Sequence, residues 1–438
     1  MADWIAETFE SDAGWDHLET LVDIGNRMAG QPGEMEGLEA TRDALAEAGA
    51  RDARVETFDL DGWVRGSSSI STPETVEECI ALPRGPAGEE TAELIDLGAG
   101  LPADFEEHDV AGKVVLATSD VPDYFDRYIH RTEKFQYAVE GGAAAFVYAN
   151  HVPGELPPTG SVGGSDGGPY GDIPAVGVSA ETGSRLARRF DGDEVTVSVE
   201  CETPETESGN AVAELGPDTD EVVILSSHVD AHDIAEGARD NGAGTATIVE
   251  VAKALAARED DLDTRVKCIG YGAEEVGLVG SGLEAEHADL DAIKGIVNVD
   301  SNMGGRTLEL TTHRFGELGA AAGRVAERFD HPISTVPRMV PHSDHWPFVR
   351  WGVPGYMVSS VSDSAGRGWG HTEADTLDKL ESRTLREQAI LLTELVVEVA
   401  DGDVSIDHAD AETMAGYLKE EDQAIGMKKT NGWPYDFE

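Results

Sequence analysis

Apolar residues recur at two spacings in this sequence, and the alternation of those spacings predicts its architecture. Over 14–28 (Gly14-Trp-Asp-His-Leu-Glu-Thr-Leu-Val-Asp-Ile-Gly-Asn-Arg-Met) they fall three and four apart, predicting a helix that ends near Gly30. A turn at Gln31-Pro-Gly-Glu leads to a second helix over 36–48, stopped by Gly49. Arg54-Val-Glu-Thr-Phe-Asp-Leu then alternates as a strand. From about residue 73 the texture changes to short strand-like runs at 91–97, 112–118, 143–149, 173–178 and 194–199, with helices over 129–141 and 180–190. A Gly/Pro-rich loop over 153–171 is long enough to be mobile or functional. This segment holds no dense cluster of His, Asp, Glu or Cys, and reads as a small β-rich module set into a larger domain.

After residue 207 strands and helices alternate. Strands are predicted at 210–215, 222–225, 265–271, 293–299, 306–312 and 355–359, and helices at 242–257, 277–287, 315–329 and from Ser382 to about Ala400. That rhythm predicts an α/β domain with a largely parallel mixed sheet and helices on both faces. The predicted division is 1–72 with 205–404 for the main domain, 73–204 for the insert, and 405–438 for an acidic tail without a clear element.

Charge narrows the function classes. The 32 basic and 86 acidic residues give a net charge of −54, and only nine of the cations are lysine. Such a field repels nucleic acid and anionic membrane surfaces, leaving polyanionic partners out. The 40% apolar content in periodic segments argues against an acidic disordered chain. An acidic, lysine-poor surface over a normal core predicts adaptation to concentrated salt, where screening removes self-repulsion. Cys79, Cys201 and Cys268 are too scattered for a disulfide framework or a zinc cluster. No basic and apolar leader and no run near the roughly 18 apolar residues of a spanning helix is visible. A cytoplasmic protein without membrane contact is expected.

The ionisable residues fall at telling places. His228-Val-Asp230 closes one predicted strand, Glu274-Glu275 follows the next, and Asp300 closes a third, while Asp240 precedes a helix and His371 sits in a late loop. Open α/β sheets bind ligands outside the carboxyl ends of their strands, so these groups meet on one edge. Packing so many carboxylates with two imidazoles is costly unless cations are present. Two divalent ions resolve it, and zinc suits mixed His and carboxylate donors. A pair about 3.5–4 Å apart activates water and polarises a carbonyl, with one carboxylate left free to move protons.

At this point the chain resembles a known family. His228-x-Asp230, Gly237-Ala-Arg-Asp240-Asn241-Gly-Ala-Gly244, Glu274-Glu275, Asn298-Val-Asp300, Ser343-Asp344-His345-x-x-Phe348 and His371-Thr-x-x-Asp375-Thr376 resemble the zinc aminopeptidases that include the bacterial leucyl aminopeptidases and glutamate carboxypeptidase II. Each motif alone is weak; six in order are specific. The resemblance implies a zinc-exopeptidase-like fold and two Zn2+ per chain, with Co2+ or Mn2+ as substitutes, acting on peptides. It implies that Asp240 bridges the ions, that His228 and Asp300 complete one site, and that Glu275 and His371 complete the other. Glu274 becomes the general base and acid, Asp230 the group that orients His228, and the Asp240–Asn241 peptide is expected to be cis. Relatives often carry Tyr before the last histidine as an oxyanion donor, but Gly370 stands there, leaving Tyr356 and His345 to consider. The insert resembles a protease-associated domain through Gly112-Lys-Val-Val-Leu, Glu140-Gly-Gly-Ala-Ala-Ala-Phe-Val and Ile173-Pro-Ala-Val-Gly-Val-Ser, which implies a cover over the cleft.

The reading is therefore a dizinc aminopeptidase. Its rivals are a dizinc carboxypeptidase or deacylase, whose second domain usually follows the Glu-Glu pair, a one-zinc glutaminyl cyclase, and a non-catalytic scaffold of the same fold. Blander readings cover several other groups. His232 and Asp233 are expected to be a solvated loop pair, and His313, His331 and His342 surface or capping residues. Asp344 and His345 are equally consistent with a pocket wall and a structural turn, and 363–370 reads as a mobile loop.

Overall fold

A computed structural model describes residues 3–164, 173–362 and 368–437. The loops read over 153–171 and 363–370 lie partly outside these residues. Among the described residues, sixteen strands form two sheets of eight. They are β1 Arg51–Asp61, β2 Val64–Ser71, β3 Val76–Glu77, β4 Ile80–Ala81, β5 Gly88–Asp96, β6 Val114–Thr118, β7 Ala145–Ala149 and β8 Ala175–Val178. There follow β9 Glu194–Glu202, β10 Glu205–Leu215, β11 Val222–His228, β12 Arg265–Tyr271, β13 Ile293–Val299, β14 Leu308–Thr311, β15 Ser334–Val336 and β16 Gly355–Ser360.

The first sheet has the order β1-β10-β12-β11-β13-β16-β14-β15. Its four central strands, β12, β11, β13 and β16, run parallel, and β10 and β14 join them antiparallel. Every residue of β11 and β13 is buried, as continuous apolar strands are when helices cover both faces. One face packs under the helices Ala243–Ala256, Gly316–Phe329 and Ser382–Ala400, where Val251, Leu255, Leu392 and Val396 share a core with Val223 and Leu225. The other face, with Ile224, Ile269 and Ile296, meets Ala285 of the helix Val279–His287 and Phe348.

The second sheet has the order β3-β2-β9-β5-β6-β7-β8-β4. The helices Arg131–Glu140 and Ala180–Phe190 pack on it. β2 belongs to this sheet, so its strands begin at Val64, ahead of the change in texture near residue 73. The two crossings between domains lie side by side. β1 pairs with β10 up to Asp61–Glu205, and β2 pairs with β9 from Val64–Glu202. Trp63, buried at the crossing, donates its indole N–H to the Gly85 carbonyl at 3.1 Å.

The stretch 405–438, read above as a tail without elements, instead forms helices Ala411–Glu420 and Gln423–Lys429. Met414, Leu418, Met427 and Tyr435 are buried in the main core, and the Tyr435 hydroxyl donates to the Arg350 carbonyl at 2.7 Å. The helical spacing of Met414 and Leu418 was present in the sequence but masked by the acidic residues around it. No helix among the described residues is long and apolar enough to cross a membrane.

Candidate active site

The parallel strands β11, β12, β13 and β16 end at His228, Tyr271, Val299 and Ser360. Ligand-bearing groups therefore collect at one edge, on both sides of the central strand β11, where an open α/β sheet places its ligand crevice. A cleft of roughly 600 Å³ opens there, lined by Asp240, Glu274, Glu275, Asp300 and His371 from the main domain and by Tyr128 and His130 from the insert.

His228, Asp240, Asp300, Glu275 and His371 are all buried and converge. His228 Nε2 lies 3.5 Å from Asp240 Oδ1 and 3.8 Å from Asp300 Oδ1. His371 Nε2 lies 3.4 Å from Asp240 Oδ2 and 3.2 Å from Glu275 Oε2. The two oxygens of Asp240 thus face two different imidazoles, the disposition of a bridging carboxylate. Donor atoms bound to zinc at 2.0–2.1 Å in a tetrahedron stand about 3.3 Å apart. The separations in the His371 cluster bracket that edge and those in the His228 cluster exceed it by 0.2–0.5 Å, so the residues present fit a pair of divalent ions.

Electrostatics agree. Burial disfavours the imidazolium of His228, yet Glu274, Asp230, Asp240 and Asp300 together hold its pKa well above the ordinary value. Burial likewise opposes the charge on Glu275, but His232 and His371 keep its carboxyl well below the usual carboxylate range. A cluster that draws protons this strongly onto an imidazole favours a divalent cation in the same space. Glu274 differs. Burial, reinforced by Glu275 and opposed by His228, raises its carboxyl well above the usual range.

Several positions depart from expectation. Asp230 does not chiefly hold the His228 ring; His228 Nδ1 is 3.1 Å from the Asp230 backbone carbonyl and 3.6 Å from its carboxylate. That carboxylate instead accepts the backbone N–H groups of Glu274 and Glu275, both at 3.1 Å, and so ties the two acidic loops together. His232 and Asp233 are not a solvated pair. Arg65 of the insert grips both Asp233 oxygens at 2.6–3.1 Å. His232 is buried with Nε2 2.9 Å from Glu275 Oε2 and its ring 4.5 Å from that of His371. His313 is buried against His345, with rings 4.5 Å apart, and neither lines the cleft. His342 lines the cleft and stacks on His130 at 5.0 Å, and His331 is half-buried on Glu387. Asp344 is buried behind the site, and burial pushes its carboxyl up to about 7. The Tyr356 hydroxyl is buried and donates to the Leu318 carbonyl at 2.6 Å, which removes it as an oxyanion donor.

Other supports were not read from the sequence. The carboxylate of Asp375 accepts the backbone N–H groups of Arg239 and Asp240 at 2.8 and 3.0 Å, and so sets the bridging residue. Arg27, buried beyond a helix that ends at Ile24, donates to the carbonyls of Leu21, Val229, Glu236 and Gly237 and pins both ends of the loop 229–237. Glu34 accepts from Gly30, Ser208 and Ala273, and burial pushes its carboxyl up to about 8. The peptide between Asp240 and Asn241 is cis. Asn241 then caps the next helix, accepting from Gly244 N–H at 3.1 Å and donating to the Val299 carbonyl at 2.9 Å. A Cβ at Gly244 would lie 2.2 Å from Asn241 Oδ1 and 2.5 Å from that carbonyl, so glycine is required there. The insert also touches the site directly: Thr159 N–H donates to the His371 carbonyl at 2.8 Å, and His371 Nδ1 lies 3.3 Å from the Thr159 carbonyl.

Comparison with known proteins agrees with this arrangement. Residues 210–396 match peptidase family M28, and residues 88–186 match the PA domain. The chain is 25% identical over 391 residues to the aminopeptidase YwaD of Bacillus subtilis, covering 86% of this chain and 81% of that one. It spans 57% of the length of several other curated aminopeptidases it matches. Among solved structures, the aminopeptidase from Aneurinibacillus sp. strain AM-1 superposes with a TM-score of 0.70 at 25% identity, covering 93% of this chain and 98% of that one. BSAP, a zinc aminopeptidase from Bacillus subtilis, shares the fold with a TM-score of 0.70 at 22% identity, covering 92% and 98%. The strand-end cluster of two imidazoles and three carboxylates lies wholly within the residues that match peptidase family M28, in a domain interrupted by the stretch that matches the PA domain.

Proposed function

We propose that the protein is a dizinc aminopeptidase that removes N-terminal residues from peptides. The observation that carries this reading is Asp240, whose two oxygens face His228 and His371 from between two clusters of donors. His228, Asp240 and Asp300 would hold one ion, and Asp240, Glu275 and His371 the other. When bound, such ions supply Lewis acidity that polarises a scissile carbonyl and acidifies water.

The chain's own groups do the rest. Glu274 lies against the clusters on a backbone held by Asp230, and its raised pKa suits a group that takes a proton from water and returns it to the leaving amine. Asp375 and Arg27 keep the bridging carboxylate and its loop in place before substrate arrives. The insert walls the cleft with Tyr128 and His130, which limits substrates to chain ends and short peptides. That the matched aminopeptidase relatives align across the insert as well as the metal half favours an amino-terminal substrate over the carboxypeptidase and deacylase reading.

Replacing Glu274 with Gln tests the assignment. Turnover of aminoacyl substrates should fall by about 10²–10⁴-fold, the usual worth of a positioned acid-base group, while two ions per chain remain bound. Full activity in that variant, or activity untouched by a chelator, would overturn it. A parallel panel of N-acylated peptides with free carboxyl ends separates the carboxypeptidase reading.

A further inference from the structure

One buried imidazole in the site has no part in the reading above. His232 sits four residues after His228, inside the loop that Arg27 pins at both ends. Its side chain is buried, and neither ring nitrogen has a hydrogen-bond partner. Nε2 approaches Glu275 Oε2 to 2.9 Å without being aligned for donation, and the second oxygen of Glu275 is also without a hydrogen bond. The rings of His232 and His371 meet edge to face, 4.5 Å apart at 81°. A buried imidazole with both nitrogens unsatisfied is rare and costly in a folded protein.

We infer that His232 is a fourth protein ligand of the second metal position, which makes that position His232, His371, Glu275 and Asp240 and fills its coordination with protein groups. This rests on the two-metal reading. One ligand atom each from His232, Glu275 and His371 lies within 4.8 Å of the others, a spread a single ion spans. Asp240 Oδ2, 3.4 Å from His371, supplies the fourth corner. The first position is built from His228, Asp240 and Asp300, three protein donors among the described residues. Four protein ligands mark closed sites and three mark open ones. The two positions therefore differ in function: the second holds its ion tightly and fixes Asp240, and the first keeps a place for water and substrate. Glu274 lies in the field of His228, on the open side.

The test uses the full chain. In the wild-type protein loaded with two zinc ions, X-ray absorption at the zinc edge should count three imidazoles over the two metals; a count of two overturns the inference, and this measurement needs no variant to fold. For His232→Ala and His232→Gln, competition with a chromophoric chelator should show one of the two ions bound more weakly by about 100-fold or more, beyond the 10–100-fold typical of a group that only orients a ligand. The visible spectrum of Co2+ at that position should change in shape and intensity. Unchanged affinity overturns the inference. Weaker binding with an unaltered Co2+ spectrum also overturns it, making His232 a positioning residue for Glu275. A wild-type protein that binds no metal would defeat the dizinc reading itself, an outcome distinct from either.

Discussion

Single side chains in this protein act mostly through the backbone of their neighbours. Asp375 shows it best, because it touches no imidazole of the cluster yet accepts the two N–H groups that orient Asp240. Replacing Asp375 with Asn leaves the shape and removes the charge. Metal affinity should fall by about 10–100-fold, read by chelator competition, with the fold intact by circular dichroism. Two histidines away from the metals carry a pH signature. Burial lowers His17 and His313 to about 4 from the ordinary 6.5. Between those values the unfolded chain binds protons that the folded one refuses, so stability falls as pH drops from about 6.5 towards 4. Thermal melts across that window should show a shallower acid limb for His17→Gln than for the parent chain. An unchanged slope would mean that His17 takes up its proton without unfolding.

Elements were legible where their periodicity was clean. The strands β11, β12 and β13 and the helices after them follow the apolar runs closely, because a strand covered on both faces and a helix with one broad apolar stripe leave strong local signatures. The C-terminal helices were missed since they are short and bury only a few residues each, Met414, Ala415 and Leu418 on the first and Ala424 and Met427 on the second. They matter beyond their size. The helix Gln423–Lys429 sets Lys429 over the ring of Tyr137, 4.1 Å from its centroid, and pairs it with Glu140, joining the insert to the main core. Removing residues 405–438 should strip those buried side chains of their partners, at about 1.5–3 kcal/mol each. The expected outcome is a lower Tm, dye binding to exposed apolar surface, and faster proteolysis within the insert. A truncated protein with unchanged melting would show that these helices are dispensable.

At the level of the complete protein, a net charge of −54 must be reconciled with two sheets that each carry a buried apolar core. The cations are spent locally: Arg65 on Asp233, Arg127 on Glu133, Arg258 on Glu394 and Arg314 on Glu420 and Glu421. The remaining acids repel one another over a Debye length that shrinks from about 10 Å at 0.1 M salt to about 3 Å at 1 M. Tm should rise steadily over that range of KCl. A melting temperature independent of salt would remove the case for adaptation to concentrated salt.

Local sequence was enough to place an α/β sheet, the insert's β-rich texture and a set of acids and imidazoles at strand ends. Strand periodicity and strand-end chemistry are short-range properties, readable without knowing what lies opposite. Only the folded chain decided which groups share a volume. His232 looked like a solvated loop residue, and no local signal shows that Arg27 and Arg65 draw its loop inward from either side. The Thr159 carbonyl beside His371 and the hydrogen bond that the Asp240 N–H donates to Asp375 likewise join residues more than a hundred positions apart. The Thr159 contact depends on how the two sheets are joined and the Asp375 contact on how distant loops of one sheet meet, and a linear pattern of side chains carries no record of either.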